Sequence, residues 1–146
     1  MGKAVLDIEL VEGGTMPVKM TKGAACYDCF ARTDVAVFAD KPVLIPLGFK
    51  VAIPDGKHIK LFLRSGMSYK TSLRIANCVG IIDSDYRGEV CLIAEATSNG
   101  YEYIKAGTRI CQFLVEDNIE TELNQVDSLP ETERGDGGFG STDNKK

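Results

Sequence analysis

Turn signals interrupt this chain so often that little longer than a short strand fits between them. "EGG" at 12–14, "ADKP" at 39–42, "IPDG" at 53–56, "DYRG" at 85–88, "SNG" at 98–100 and "KAG" at 105–107 recur along its length. Each is built from the glycine, proline, asparagine and aspartate that favour chain reversal. Pro42, Pro46 and Pro54 break any helix across the middle, because proline lacks the N–H and clashes with the preceding turn. Only "SGMSYKTS", Ser65 to Ser72, has room for a short helical turn. Between the turns lie strand patterns. In "AVLDIELV", Leu6, Ile8 and Leu10 alternate with Val5, Asp7 and Glu9, and "HIKLFLR" sets Ile59, Leu61 and Leu63 on one face. "EVCLIAEA" and "RICQFLVE" are apolar on nearly both faces, the pattern of strands covered on both sides. Many short strands at regular spacing predict an all-β sandwich or barrel.

With 146 residues there is enough chain for one domain with a real core. The β domain is expected over 1–126, and "DSLPETERGDGGFGSTDNKK", 127–146, has the composition of a mobile arm. A net charge of −4 argues against a nucleic-acid coat, whose footprint is basic. No apolar run is long enough to span a bilayer. The start "MGKAVLDIELVEGG" carries charges where a signal peptide is apolar, so the expected compartment is cytoplasmic, or nuclear in a eukaryotic or viral setting. Gly2 does not make a myristoylation signal, because Leu6 stands where serine or threonine is needed. Five scattered cysteines read as reduced thiols rather than a disulfide framework. The C-x-x-C pair Cys26 and Cys29 lacks the second pair that a zinc site requires, which favours small apolar thiols packed in a core.

Four stretches carry candidate chemistry. "GDGGFGST" approaches a phosphate loop, but Ser141 stands where that loop has lysine, and no strand leads into it. What remains is a flexible segment whose N–H groups, with Arg134, suit phosphate oxygens, or else a solvated tail. "RSGMS" places Arg64, Ser65 and Gly66 at the start of the single helical turn, as an anion contact or a plain cap. "NCVGIIDSDYRG", 77–88, delivers Asp83 and Asp85 from an apolar strand into a turn. A carboxylate so placed is partly desolvated, the setting of a useful base; Tyr86 offers a stacking ring, and Asn77 can both donate to and accept from a base edge. The alternative is a hairpin with a polar turn. Gln112, between Ile110 and Leu114, needs a polar partner, which a ligand phosphate or a backbone group would supply.

Five stretches in order resemble the motifs of the homotrimeric dUTP nucleotidohydrolases, the dUTPases: "AACYD", "RSGMS", "GIIDSDYRG", "GTRICQ" and "RGDGGFGST". The likeness covers almost the whole chain. It implies a distorted β-barrel or jelly roll with a C-terminal arm, and hydrolysis of dUTP to dUMP and pyrophosphate with Mg²⁺. By the same resemblance, Asp83 orients and deprotonates the attacking water. Tyr86 packs under the deoxyribose and excludes a 2′-OH. Asn77 with the backbone of Gly80, Ile81 and Ile82 reads uracil. Arg64, Ser65, Gly66 and Gln112 contact phosphates, and Asp28 holds a water on Mg²⁺. Arg134, Phe139, Gly140, Ser141 and Thr142 form a lid closing over a site shared among three subunits. Cys26, Leu63 and Asp143 depart from the family's glycine, proline and glycine. A dCTP deaminase on the same scaffold is the nearest alternative; its catalytic glutamate would fall at Ile93, with Glu95 two residues on. A non-catalytic nucleotide-binding regulator is the other, and it should lack the carboxylate or the lid.

Overall fold

The computed structural model describes residues 2–143. Of the arm expected over 127–146, residues 144–146 therefore lie outside the described residues. In chain order the elements are β1 (Asp7–Leu10), β2 (Tyr27–Phe30), β3 (Val35–Phe38), β4 (Val43–Pro46), β5 (Phe49–Ala52), β6 (Lys57–Leu63), α1 (Ser65–Lys70), β7 (Leu73–Ile75), β8 (Gly80–Ile82), β9 (Cys91–Ala96), β10 (Tyr101–Ile104) and β11 (Arg109–Asp117). The one helix among the described residues falls inside the stretch that the prolines left open for it. The all-β expectation holds, and the architecture differs in detail. The strands pair as four antiparallel sheets, β2-β11-β6-β8, β4-β9-β7, β1-β5 and β3-β10, and among the described residues no continuous barrel closes. Strands of three to seven residues, such as β8 and β6, end before they can carry a ladder round the core. The nine-residue β11 shifts register between Arg109 and Cys111.

The sheets enclose one core in which Val37, Ile45, Leu47, Phe49, Ile59, Leu73, Leu92 and Ile110 are buried. Phe113 of β11 joins it, with its ring 6.0 Å from Phe49 and stacked 5.4 Å from Tyr27. Pro46 fits because β4 is an edge strand, where a missing donor costs no ladder bond. Gly14 and Gly48 meet backbone to backbone. A Cβ on Gly14 would lie 2.0 Å from the Gly48 carbonyl oxygen, and Gly48 has φ +80, so neither position accepts a side chain without moving the other segment.

Burial departs from the sequence pattern in two places. Leu6 and Ile8 pack against the core, but Leu10 is exposed. The two strands expected to be covered on both faces are covered on one. In β9 buried Leu92, Ala94 and Ala96 alternate with half-buried Cys91, Ile93 and Glu95, and in β11 Leu114 and Val115 are half-buried. After Asp117 there is no further strand or helix up to residue 143, and Ile119, Leu123 and Leu129 are exposed.

Candidate functional site

The candidate residues gather into two clusters and a separate segment. The first cluster forms where β2, β11 and the end of β6 meet. Asp28 lies on β2 opposite Gln112 of β11 and is 9 % exposed. Its Oδ2 stands 3.5 Å from Nε of Arg64 and 3.5 Å from Nε of Arg109. Arg64 also donates from Nη1 to the Arg109 carbonyl oxygen at 2.9 Å. Arg64 occupies the N-cap of α1 with extended backbone and no side-chain cap bond, and Ser65 and Gly66 follow it, exposed. Two guanidiniums thus converge on one nearly buried carboxylate beside open backbone, a place where a polyanion finds donors on several sides.

The second cluster surrounds a cavity of about 280 Å³ lined by Asn77, Gly80, Ile81, Ile82, Asp83 and Tyr86, with Leu44, Leu61, Ile75 and Val90 behind them. A tight turn at Asn77–Val79, in which Val79 N–H donates to the Asn77 carbonyl at 2.7 Å and Cys78 has φ 64, sends the chain into β8. Asp83 follows β8 and opens the next turn, with its carbonyl accepting Tyr86 N–H at 3.2 Å. Tyr86 donates from its hydroxyl to the Glu89 carbonyl at 2.9 Å. Its ring lies against Gly88, where a Cβ would come within 2.4 Å of the hydroxyl oxygen. The expected desolvation of Asp83 is not supplied by this chain: Asp83 is exposed. The reason is that β8 is a three-residue edge strand of its sheet, with nothing on its outer side. A smaller cleft on the other side of Asp83 is lined by Lys57, His58 and Asn118.

These clusters do not meet. β8 pairs with β6 so that Ile82 faces Ile59, which puts Asp83 toward the start of β6, whereas Arg64 follows its far end. At about 3.3 Å per residue, the five residues from Ile59 to Arg64 hold them roughly 16 Å apart or more. Residues 134–142 join neither cluster. Arg134 donates from Nε to the Gly137 carbonyl at 2.8 Å, and Ser141 N–H donates to that of Gly138 at 3.0 Å. Phe139, Gly140, Ser141 and Thr142 are exposed.

Two features escaped the sequence reading. In the sequence Arg109 reads as the first residue of an apolar run, although an arginine three residues before Gln112 that leads into a strand is a usable signal. The other is the pair Arg32 and Glu89, 57 residues apart, with bidentate bonds of 2.8 and 2.9 Å. The Arg32 bonds, and then the Gly48 N–H, hold the Glu89 carboxyl below the usual carboxylate range. The stability this pair contributes is therefore present above the unfolded-state carboxylate range and is lost as pH falls through the depressed one.

The thiols are set apart from this chemistry. Burial is the main cause raising Cys26, Cys91 and Cys111, and Cys29 faces Cys111 across strands rather than Cys26. Among the described residues no group of three or more His, Cys, Asp or Glu side chains could hold a metal ion. The first cluster has one carboxylate, Asp28, between two guanidiniums. It offers Mg²⁺ at most one contact through water, so the ion would take its other ligands from phosphate and water.

The dUTPase family model matches residues 12–143. The chain is 40% identical over 129 residues to the deoxyuridine 5′-triphosphate nucleotidohydrolase of Finegoldia magna, covering 87% of this chain and 90% of the relative. It is 38% identical over 139 residues to that of Paramecium bursaria Chlorella virus 1, covering 95% and 97%. Among solved structures, a Staphylococcus bacteriophage 80alpha dUTPase variant with dUpNHpp superposes with a TM-score of 0.83 at 27% identity, over 94% of this chain and 98% of that one. A variant dUTPase from phage phi11 of S. aureus, in which a structural Mg(II) ion is coordinated, gives a TM-score of 0.78 at 25% identity over 86% and 98%.

Proposed function

This chain belongs to the dUTPase family and is a dUTP-hydrolysing enzyme, and from that premise we propose how its residues divide the work. dUTP and water give dUMP and pyrophosphate. The observation that carries the assignment is the cavity bounded by Asn77, the β8 backbone, Asp83 and Tyr86, which offers a base edge, a sugar-stacking ring and a carboxylate within one hollow. Asn77 and the Gly80, Ile81 and Ile82 backbone read uracil. Tyr86 lies under the deoxyribose. Asp83 orients a water toward the α-phosphorus and takes its proton, and the P–O bond to the leaving pyrophosphate breaks in line. Arg64, Ser65, Gly66 and Gln112 contact the phosphates, and Asp28 is the residue that would hold Mg²⁺ through water. When bound on the triphosphate, Mg²⁺ neutralises charge on the phosphate oxygens.

The separation of Asp83 from Arg64 supports a site completed by a second copy, and we assign the assembly as a homotrimer with shared sites. The half-covered faces of β9 and β11 are in keeping with further burial in such an assembly. Residues 1–126 form its β domain and 127–146 its arm, with 134–142 serving as the lid. Five free cysteines are in keeping with a reducing compartment, and no helix of the described residues is long and apolar enough to cross a membrane.

Mixing two separately inactive variants, Asp83→Asn and Arg64→Ala, under conditions of subunit exchange is expected to restore turnover, because a site can draw Asp83 from one chain and Arg64 from another. Failure to restore it, with light scattering giving a monomer mass, would remove the shared-site model. Tyr86→Ala is expected to narrow the dUTP-over-UTP ratio of kcat/KM by about 10–100-fold, read by pyrophosphate release; an unchanged ratio in a folded variant would sink the sugar-selecting role. The deaminase alternative fits less well, since Glu95 faces Arg74 across β9 and β7 and is absent from the cavity lining.

A further inference from the structure

We infer that Arg32 and Glu89 are positioning residues that hold Tyr86 in place and thereby set the preference for deoxyribose over ribose; this rests on the sugar-selecting role proposed above for Tyr86. The tyrosine side chain is anchored to backbone alone. Its hydroxyl donates to the Glu89 carbonyl at 2.9 Å, and its ring packs on Gly88 with no room for a Cβ. The ring can therefore be no better fixed than the backbone of residues 88–89. Upstream, the turn offers little restraint, because it is a surface segment in which Asp85, Tyr86 and Arg87 are exposed and Arg87 bonds only to carbonyls of the same turn, at Ser84 and Tyr86.

Downstream, the restraint is the Glu89 side chain. Its Oε2 accepts from Arg32 Nε at 2.8 Å and from Gly48 N–H at 2.9 Å, and its Oε1 accepts from Arg32 Nη2 at 2.9 Å. Arg32 is itself tied down, donating from its backbone N–H to the Pro46 carbonyl at 2.8 Å. Next along the chain, Val90 bonds to both Phe49 and Leu47 at 2.9 Å. Three segments, those after β2, between β4 and β5, and before β9, thus converge on one carboxylate whose main chain receives the tyrosine hydroxyl. The planar guanidinium fork is suited to this: two parallel bonds fix orientation as well as distance, which a lysine cannot do. Arg32 also sits four residues past Asp28 on the same stretch of chain, so the clamp joins the segment bearing one cluster to the turn bearing the other.

A loosened Tyr86 would give way to the 2′-OH, so the predicted signature is a gain for the wrong substrate. Glu89→Gln, which keeps shape and removes charge, and Arg32→Lys, which keeps charge and removes the fork, are each expected to narrow the dUTP-over-UTP ratio of kcat/KM by about tenfold. The change should come mainly from improved UTP turnover and raised KM for dUTP, with kcat for dUTP within a few-fold of the parent. Thermal unfolding of each variant is measured alongside. A clamp that served folding alone would lower activity on both nucleotides in parallel and leave the ratio unchanged; that outcome in either folded variant overturns the inference. A parent protein with no activity on dUTP would instead overturn the reading on which it rests.

Discussion

Asp83→Asn is expected to lower kcat for dUTP by about 10²–10⁴-fold, the usual worth of a positioned general base, while binding of a non-hydrolysable dUTP analogue changes little. Asparagine keeps the size and one acceptor oxygen but cannot take the proton from water. Asp83 lines the cavity that also holds Asn77 and Tyr86 and faces a cleft bearing Lys57 and His58 on its other side, yet it is exposed in the single chain. The drop should therefore appear in turnover rather than affinity, since the cavity walls remain in place. Single-turnover kinetics, together with calorimetric titration of the analogue, separate the two. A variant that keeps near-full kcat would remove Asp83 as the base, and one that loses binding in proportion to rate would make it a binding group only.

Deleting the chain from Arg134 onward is expected to leave unfolding without ligand unchanged and to cost about 10²–10³-fold in kcat/KM, comparable to removing preorganised donors from a developing anion. The first half of this expectation follows from packing. Phe139 is the one large apolar side chain of 134–142, it is exposed, and the bonds of Arg134 and Ser141 close on Gly137 and Gly138 within the segment. Among the described residues no core residue is lost with it. The second half follows from differential contact: a glycine-rich segment orders only where a ligand offsets its conformational entropy. Hydrogen exchange over residues 134–142 with and without the analogue and Mg²⁺ provides the check. Unchanged protection on binding, or full activity after truncation, would make this stretch a plain tail.

The local character of the chain was legible from its residues. Alternation in "HIKLFLR" placed Ile59 and Leu61 in the core, and the prolines confined the one helix of the described residues to the stretch containing Ser65–Lys70. The motif-bearing stretches identified the family, because such motifs are contiguous and their spacing survives in one dimension. Alternation and turn chemistry act over two to four residues, and they are written where they act.

What the residues could not disclose was which distant groups meet. Nothing near Arg32 announces Glu89, and nothing in "GTRICQ" says that Arg109 and Arg64 share Asp28. Those contacts depend on strand register, and a shift of one residue would turn every side chain to the other face. The same register, Ile82 opposite Ile59, keeps Asp83 away from Arg64, although both belong to motifs that read as one site along the chain. The exposure of Asp83 was likewise hidden, since an apolar strand such as β8 reads alike in the middle of a sheet and at its edge. Sequence alone determined the class of fold, the family and the residues worth watching, because these rest on local patterns. The tertiary structure alone decided that Asp83 and Arg64 stand apart on one chain and that Arg32 meets Glu89 beside the Tyr86 hydroxyl, because both follow from long-range pairing that no local pattern encodes.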